Sequence, residues 1–242
     1  ELKIIDGRPL GNGRPITVND DVKNWFAYGT ENELCLSDFD VILMRKDPPF
    51  DMEYIYATYI LDLAKMGGAK VINDPSAIRN LNEKVSITMF PSVTPPTLVT
   101  SNQSDLESFL NQQEKIVVKP LDGMGGRSIF IVEKGEPNTK TIFEEMTRNN
   151  SKTIMAQKYI PEIKDGDKRI HLVFGNHVDM ALARVPSEKD HRGNLVMGAV
   201  GEVRKLTQRD IEICKTIGGT LLKGGVYFAG IDVIGDYLSE IN

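Results

Sequence analysis

The stretch "KIVVKPLDGMGGRSIFIVEKG" (115–135) constrains the fold most. Two apolar, strand-like runs flank a turn that contains Gly123, Gly125 and Gly126 and almost no side chains. Such a segment reads as strand, tight connection, strand. Glycine removes the Cβ that would keep a backbone away from a ligand, so loops of this kind bring N–H groups close to phosphates. Lys119, at the end of the first run, adds a point charge suited to phosphate oxygens. By itself the loop also reads as a tight β-turn with a solvated lysine. It matches neither the P-loop nor the dinucleotide pattern, and it leads into a strand rather than a helix.

The pattern around it alternates. Residues 38–44, "DFDVILM", read as a strand buried on both faces, 51–68 as a helix stopped by Gly67-Gly68, 69–74 as a strand, and 75–90 as a helix with proline near its start. Strand–helix alternation implies an α/β layer with a partly parallel sheet. Then come a strand at 95–100, a helix at 104–113 with Ser104 as N-cap, the strands around the glycine loop, a helix at 139–149 and a strand at 154–160. From 164 to 186 the pattern turns antiparallel, with a hairpin signal at Gly175-Asn176. Residues 187–202 are polar and glycine-spotted, as in a lid loop. A helix at 208–225 and a hairpin over 226–242, turning near Gly235-Asp236, close the chain.

A net charge of −5 and an isoelectric point near 5.4 argue against nucleic acid as the main partner. Cys35 and Cys214 make neither a disulfide framework nor a metal spacing, which fits a reducing compartment. No run has transmembrane length and no signal-peptide pattern is present, so no membrane role and a cytoplasmic location are expected. The chain opens on Glu1 without an initiator methionine and ends inside a strand-like run, so a fragment of a longer chain is expected.

Three further features extend the glycine-loop reading. Lys84, in "NEKVS", is a second cation that could meet the same phosphates. Asp232 lies in an apolar strand, and Glu240 and Asn242 share one face of the next, so a hairpin brings two carboxylates and an amide oxygen together. These are hard donors suited to Mg²⁺, although a wetted sheet face would also carry them. Asp167, Lys168 and Arg169, in "DGDKR", read in isolation as a solvated turn, whereas Arg184 sits in an apolar strand, where an inward arginine holds an anion or a carboxylate. His171, His177 and His191 show no ligand spacing.

Together, "VILMRKDPPFDMEYIYATYIL", "VKPLDGMGGRSIF", "IKDGDKR", "RGNL" and "IDVIGDYLSEIN" resemble the bacterial-type glutathione synthetases of the ATP-grasp superfamily. The resemblance runs along essentially the whole chain. It implies an α/β chain with α+β elements: an ATP-grasp fold with a partial N-terminal α/β substrate domain (1–80), a central subdomain carrying the glycine loop (81–162), and an incomplete C-terminal subdomain (163–242). Family members are longer at both ends.

The resemblance also implies roles. Lys84 and Lys119 would bind phosphates, and Gly123, Gly125 and Gly126 would close over them. The backbone at Gln157, Lys158, Tyr159 and Ile160 would meet adenine, with Asp167 a nearby nucleotide contact. Asp232, Glu240 and Asn242 would hold two Mg²⁺ (or Mn²⁺) ions. Arg184 would sit at the transferred phosphoryl group, acting with Lys119. Arg45 would face the substrate, and Arg192 and Asn194 would belong to the lid. The implied reaction joins γ-glutamylcysteine to glycine at the expense of ATP, in a homo-oligomer, often a tetramer. Two other readings stand beside it: another ATP-grasp carboxylate–amine ligase, such as a D-alanine–D-alanine ligase, or a Mg-ATP-binding module without turnover.

Overall fold

Apolar residues in this chain serve sheets more than helices. The computed structural model describes residues 1–46, 49–123, 127–186 and 200–242. They form two units, Glu1–Arg79 and Asn80–Asn242.

The first unit opens with strands β1 (Leu2–Ile5), β2 (Arg8–Gly13), β3 (Ile16–Val18), β4 (Phe26–Tyr28) and β5 (Asn32–Cys35). An antiparallel sheet runs in the order β1-β2-β5, and β3 and β4 pair as a separate hairpin. Strand β6 (Val41–Leu43), helix α1 (Met52–Met66), strand β7 (Lys70–Ile72) and helix α2 (Pro75–Asn80) follow. Asp51 caps α1 by accepting the Tyr54 N–H at 3.0 Å, and the Gly67 cap ends it. Thr58, Leu61 and Ala64, spaced three apart, are the residues it buries. Only β6 and β7 pair in parallel among the described residues, so the expected parallel layer shrinks to two short strands. The expectation that 38–44 is buried on both faces fails too: Val41 and Leu43 are 46% and 59% exposed.

The predicted helix over 75–90 breaks after Asn80 and resumes as a 3₁₀ turn at Val85–Met89. Asn82 is the cause. Its side-chain oxygen accepts the Lys84 and Val85 N–H groups, both at 3.0 Å, and its amide donates to the Leu121 carbonyl at 3.1 Å. An asparagine offering the backbone local partners competes with the helix.

The second unit holds two antiparallel sheets. The first is built from β8 (Thr97–Thr100), β9 (Lys115–Pro120), β10 (Phe130–Glu133) and β11 (Ile154–Lys158) in the order β10-β9-β11-β8. Helices α3 (Gln103–Gln113) and α4 (Thr139–Thr147) share its core, where Leu106, Leu110, Ile116, Val118, Val132, Phe143, Ile154 and Ala156 pack together. The N-cap of α3 is Asn102 rather than Ser104; its side chain accepts the Ser104 N–H at 2.8 Å.

The other sheet holds β12 (Asp167–Val173), β13 (Asn176–Val185), β14 (Val200–Lys205), β15 (Phe228–Ile234) and β16 (Tyr237–Ile241), in the order β14-β13-β12-β15-β16. The turn between β12 and β13 falls on Phe174 and Gly175, both at positive φ (48° and 77°), one residue before the predicted pair. Residues 200–202, expected in the lid loop, belong to β14; 187–199 lie outside the described residues. Helix α5 (Gln208–Lys223) starts with a capping box between Thr207 and Asp210 and buries Ile213, Cys214, Ile217, Gly218 and Leu221. Gly218 is required where α5 meets the β12–β13 turn: a Cβ there would lie 2.1 Å from the Gly175 carbonyl oxygen.

Candidate active site

Period-two alternation builds one face of the five-stranded sheet into a charged surface. Asp167 lies opposite Arg184 across β12 and β13. Arg169 lies opposite Asp232 across β12 and β15, and Asp232 lies opposite Glu240 across β15 and β16. The predicted convergence of Asp232 and Glu240 is met, through a register shift between Asp232 and Val233 that moves Asp232 from opposite Ser239 to opposite Glu240. Asn242 follows β16 directly, tied to Gly230 by reciprocal backbone hydrogen bonds of 2.8 Å, and its amide donates to Asp232 Oδ2 at 3.4 Å.

The carboxylates on this face are paired to guanidinium groups. Arg169 Nε donates to Asp232 Oδ1 and its Nη2 donates to Oδ2 at 3.0 Å. Arg184 Nη2 lies 3.0 Å from Asp232 Oδ2 and also donates to Asp167 Oδ2. Burial and the Asp232 charge push the Asp167 carboxyl up to about 8, against the pull of Arg184. Burial alone would lower the pKa of both arginines; the carboxylates outweigh it and raise them. Asp167 Oδ1 and Arg184 Nε are buried without a hydrogen-bond partner, as expected of groups placed to receive a polar ligand.

The lysines reach this face from the other sheet and from the segment before it. Residues 83–93 run along the edge strand β16: Leu238 N–H donates to the Val93 carbonyl at 2.8 Å and Ile241 N–H to the Glu83 carbonyl at 2.9 Å. That pairing covers an otherwise open sheet edge and sets Lys84 in place. Lys84 is 3% exposed; its ammonium pairs with Glu83, donates to the Gly123 carbonyl at 2.7 Å and lies 3.8 Å from Glu240 Oε1. Lys119, on β9, is 5% exposed and sits 3.4 Å from both Glu240 Oε1 and the Ser239 carbonyl. Two buried ammonium groups thus converge on one carboxylate oxygen.

Gln157 is buried on β11 and donates to Thr97 Oγ1 at 3.0 Å. The N–H groups of Lys158 and Tyr159 are bonded to the carbonyls of Pro96 (2.9 Å) and Lys115 (3.0 Å), and the chain leaves the sheet at Ile160. Arg45 is exposed beyond β6 in the first unit. Gly125, Gly126, Arg192, Asn194 and His191 lie outside the described residues. His171 stacks on Phe228 with ring centroids 5.6 Å apart, and His177 lies 3.7 Å from Asp179. No three His, Cys, Asp or Glu side chains among the described residues are placed to hold a metal ion by themselves.

Three residues that sequence reading passed over matter here. Asp167, Lys168 and Arg169 of the "DGDKR" run are not a solvated turn. They open β12, where Arg169 clamps Asp232 and Lys168, on the opposite face, pairs with the fully buried Asp210. Glu83 is the third. The signal for Arg169 was its two-residue spacing from Asp167, which places both on one strand face.

Two family models together cover the chain almost end to end: the prokaryotic glutathione synthetase N-terminal domain matches residues 1–79 and its ATP-grasp domain matches 83–242. The glutathione synthetase of Nitrosomonas europaea is 49% identical over 245 residues, spanning 100% of this chain and 77% of that protein. That of Escherichia coli strain K12 is 47% identical over 242 residues with the same coverage. Among solved structures, D-cycloserine synthetase DcsG superposes with a TM-score of 0.69 at 12% identity, covering 86% of this chain and 77% of that one. D-alanyl-alanine synthetase A from Vibrio cholerae gives 0.60 at 13%, covering 95% and 73%. These distant structures speak for the ATP-grasp fold. The two domain models and near-half identity along the whole chain decide the rest: this protein belongs to the prokaryotic glutathione synthetase family.

Proposed function

We propose that the chain is the ATP-dependent ligase that joins γ-L-glutamyl-L-cysteine to glycine through an acyl phosphate, releasing ADP and phosphate. The observation that carries this reading is the convergence of Lys84 and Lys119 on Glu240, beside the Asp232–Asn242 pair. Phosphoryl transfer between anions needs charge neutralisation and positioning rather than a side-chain nucleophile.

Lys84 and Lys119 bind the phosphate oxygens, and the Gly123 segment is held against them by the Lys84 bond. Arg184, whose Nε is still unpartnered, turns to the transferred phosphoryl group, with Asp167 a contact of the nucleotide. The bonds already made by the Lys158 and Tyr159 amides leave the Ile160 amide and the neighbouring carbonyls to read the base. Asp232, Glu240 and the Asn242 amide oxygen suit a hard divalent cation, and the two-carboxylate set leaves further positions to phosphate oxygens and water. When bound, Mg²⁺ or Mn²⁺, two ions in our reading, supplies positive charge to the phosphates. The chain's own part is to hold those donors by strand register and to clamp Asp232 with Arg169. Arg45, Arg192 and Asn194 keep proposed substrate roles on resemblance alone. On the family resemblance we assign the protein to the cytoplasm and to a homo-oligomer; no helix among the described residues is long and apolar enough to cross a membrane.

The test is phosphate release from ATP and Mg²⁺ with γ-glutamylcysteine and glycine, omitting each in turn. Release that requires both, with glutathione identified by mass spectrometry, is expected. Release with D-alanine in place of either substrate would favour another ATP-grasp ligase.

A further inference from the structure

Lys84 and Lys119 each already face a carboxylate in the second unit: Lys84 pairs with Glu83 and Lys119 with Glu240. The guanidinium groups of Arg169 and Arg184 are held beside them by Asp232 and Asp167. Both lysines are almost wholly buried, so their partners are not incidental surface contacts. Glu83 is fixed on the edge of β16 by its own carbonyl, which accepts the Ile241 N–H at 2.9 Å, and its carboxylate pairs with Lys84. Glu240 occupies the space between Lys84 and Lys119.

A free nucleotide brings strongly negative phosphates to lysines that already carry counter-ions. To reach the lysines it must displace Glu83 and Glu240 and then lie beside them, with like charges held in a poorly solvated site. A nucleotide that arrives with divalent cations brings its own compensation. The cations also give Glu240 a new partner and leave the lysines to the phosphates.

We propose that Glu83, acting with Glu240, is a specificity-determining residue: the two carboxylates are built-in counter-ions of Lys84 and Lys119 that make the site reject metal-free nucleotide. This rests on the nucleotide-site reading above. Glu83 is assigned no metal or substrate contact, so its substitution separates charge balance from metal binding. Discrimination by a repulsive element is a general route to specificity.

The experiment is calorimetric titration of ATP into the full chain, in excess EDTA and in Mg²⁺, for the wild type, Glu83→Gln and Glu240→Gln. The wild type is expected to bind ATP far more tightly with Mg²⁺. Glu83→Gln is expected to tighten metal-free binding by at least about fivefold, with a change of under about twofold in Mg²⁺, the partial exposure of Glu83 limiting the size of the effect. Glu240→Gln is expected to tighten metal-free binding likewise while losing most of the gain from Mg²⁺. It keeps the question open to measurement if Glu83→Gln fails to fold. Unchanged or weaker metal-free affinity in the folded variants would overturn the proposal, as would an equal rise in both conditions for Glu83→Gln. Wild-type protein that binds ATP in neither condition would overturn the nucleotide-site reading itself.

Discussion

Arg169 reaches Asp232 by lying across Gly230: a Cβ on Gly230 would meet the Arg169 Cδ at 2.9 Å and Nη1 at 3.2 Å. The glycine two residues before a proposed metal ligand is thus a passage for the guanidinium that orients it. Gly230→Ala is expected to push Arg169 off Asp232 and lower turnover by about 10–100-fold, the scale of a small misplacement in a reacting site. Steady-state kinetics with a Mg²⁺ titration checks this, and an unchanged Mg²⁺ midpoint with normal turnover would show that the clamp is dispensable.

Lys119→Ala removes one of the two ammonium groups on Glu240. Turnover of ATP is expected to fall by about 10²–10³-fold, the usual cost of losing one preorganised charge from a transition-state site. The circular dichroism spectrum is expected to stay that of the wild type. Near-normal phosphate release from a normally folded variant would remove Lys119 from phosphate binding.

Asp74, just before α2, accepts from Ser76 N at 2.9 Å and Ser76 Oγ at 2.6 Å, and pairs with Lys65. Burial pushes its carboxyl up, but the bonds from Lys65 and Ser76 win and hold it at about 2. Its folded-state pKa lies below the unfolded value, so its contribution is complete above about pH 4 and is lost as the pH falls towards 2. Asp74→Asn is expected to cost about 1–2 kcal/mol at pH 7 and progressively less over that acid range. Urea unfolding at several pH values measures it.

Gly218 and Gly219 stand side by side on α5 with opposite expectations. Gly218→Ala would drive a Cβ into the Gly175 backbone, and a loss of about 2–3 kcal/mol is expected. A Cβ on Gly219 meets nothing within 4 Å, so Gly219→Ala is expected to stabilise by about 0.5–1 kcal/mol through helix propensity. Thermal unfolding of the two variants tests the pair.

Much of this was legible in the chain. The hairpin turning at Gly235-Asp236 follows from alternation and turn chemistry, but its regular register would set Asp232 opposite Ser239; a register shift between Asp232 and Val233, invisible in the alternation, sets it opposite Glu240. Helix α1 follows from apolar spacing and its glycine stop, and five segments along the chain sufficed to suggest the family. What local pattern missed had local causes. Asn82 broke a helix by bonding its own neighbours. The apolar run at 38–44 formed only a three-residue strand with exposed ends. Charged "DKR" looked solvated because polarity alone does not say that a strand's two faces meet different neighbours.

The sequence by itself determined which residues alternate together: Asp167 with Arg169, Glu240 with Asn242, Lys119 at a strand's end. Period two is a property of the backbone and needs no partner. Only the tertiary structure decided which of those charges answer one another. Lys119 and Glu240 are 121 residues apart, and Lys84 meets Gly123 only because Glu83 and Val93 bond to the edge of β16. Pairing between sheets depends on which edges dock and which charges must be neutralised once water is gone, and no window of local sequence carries that information.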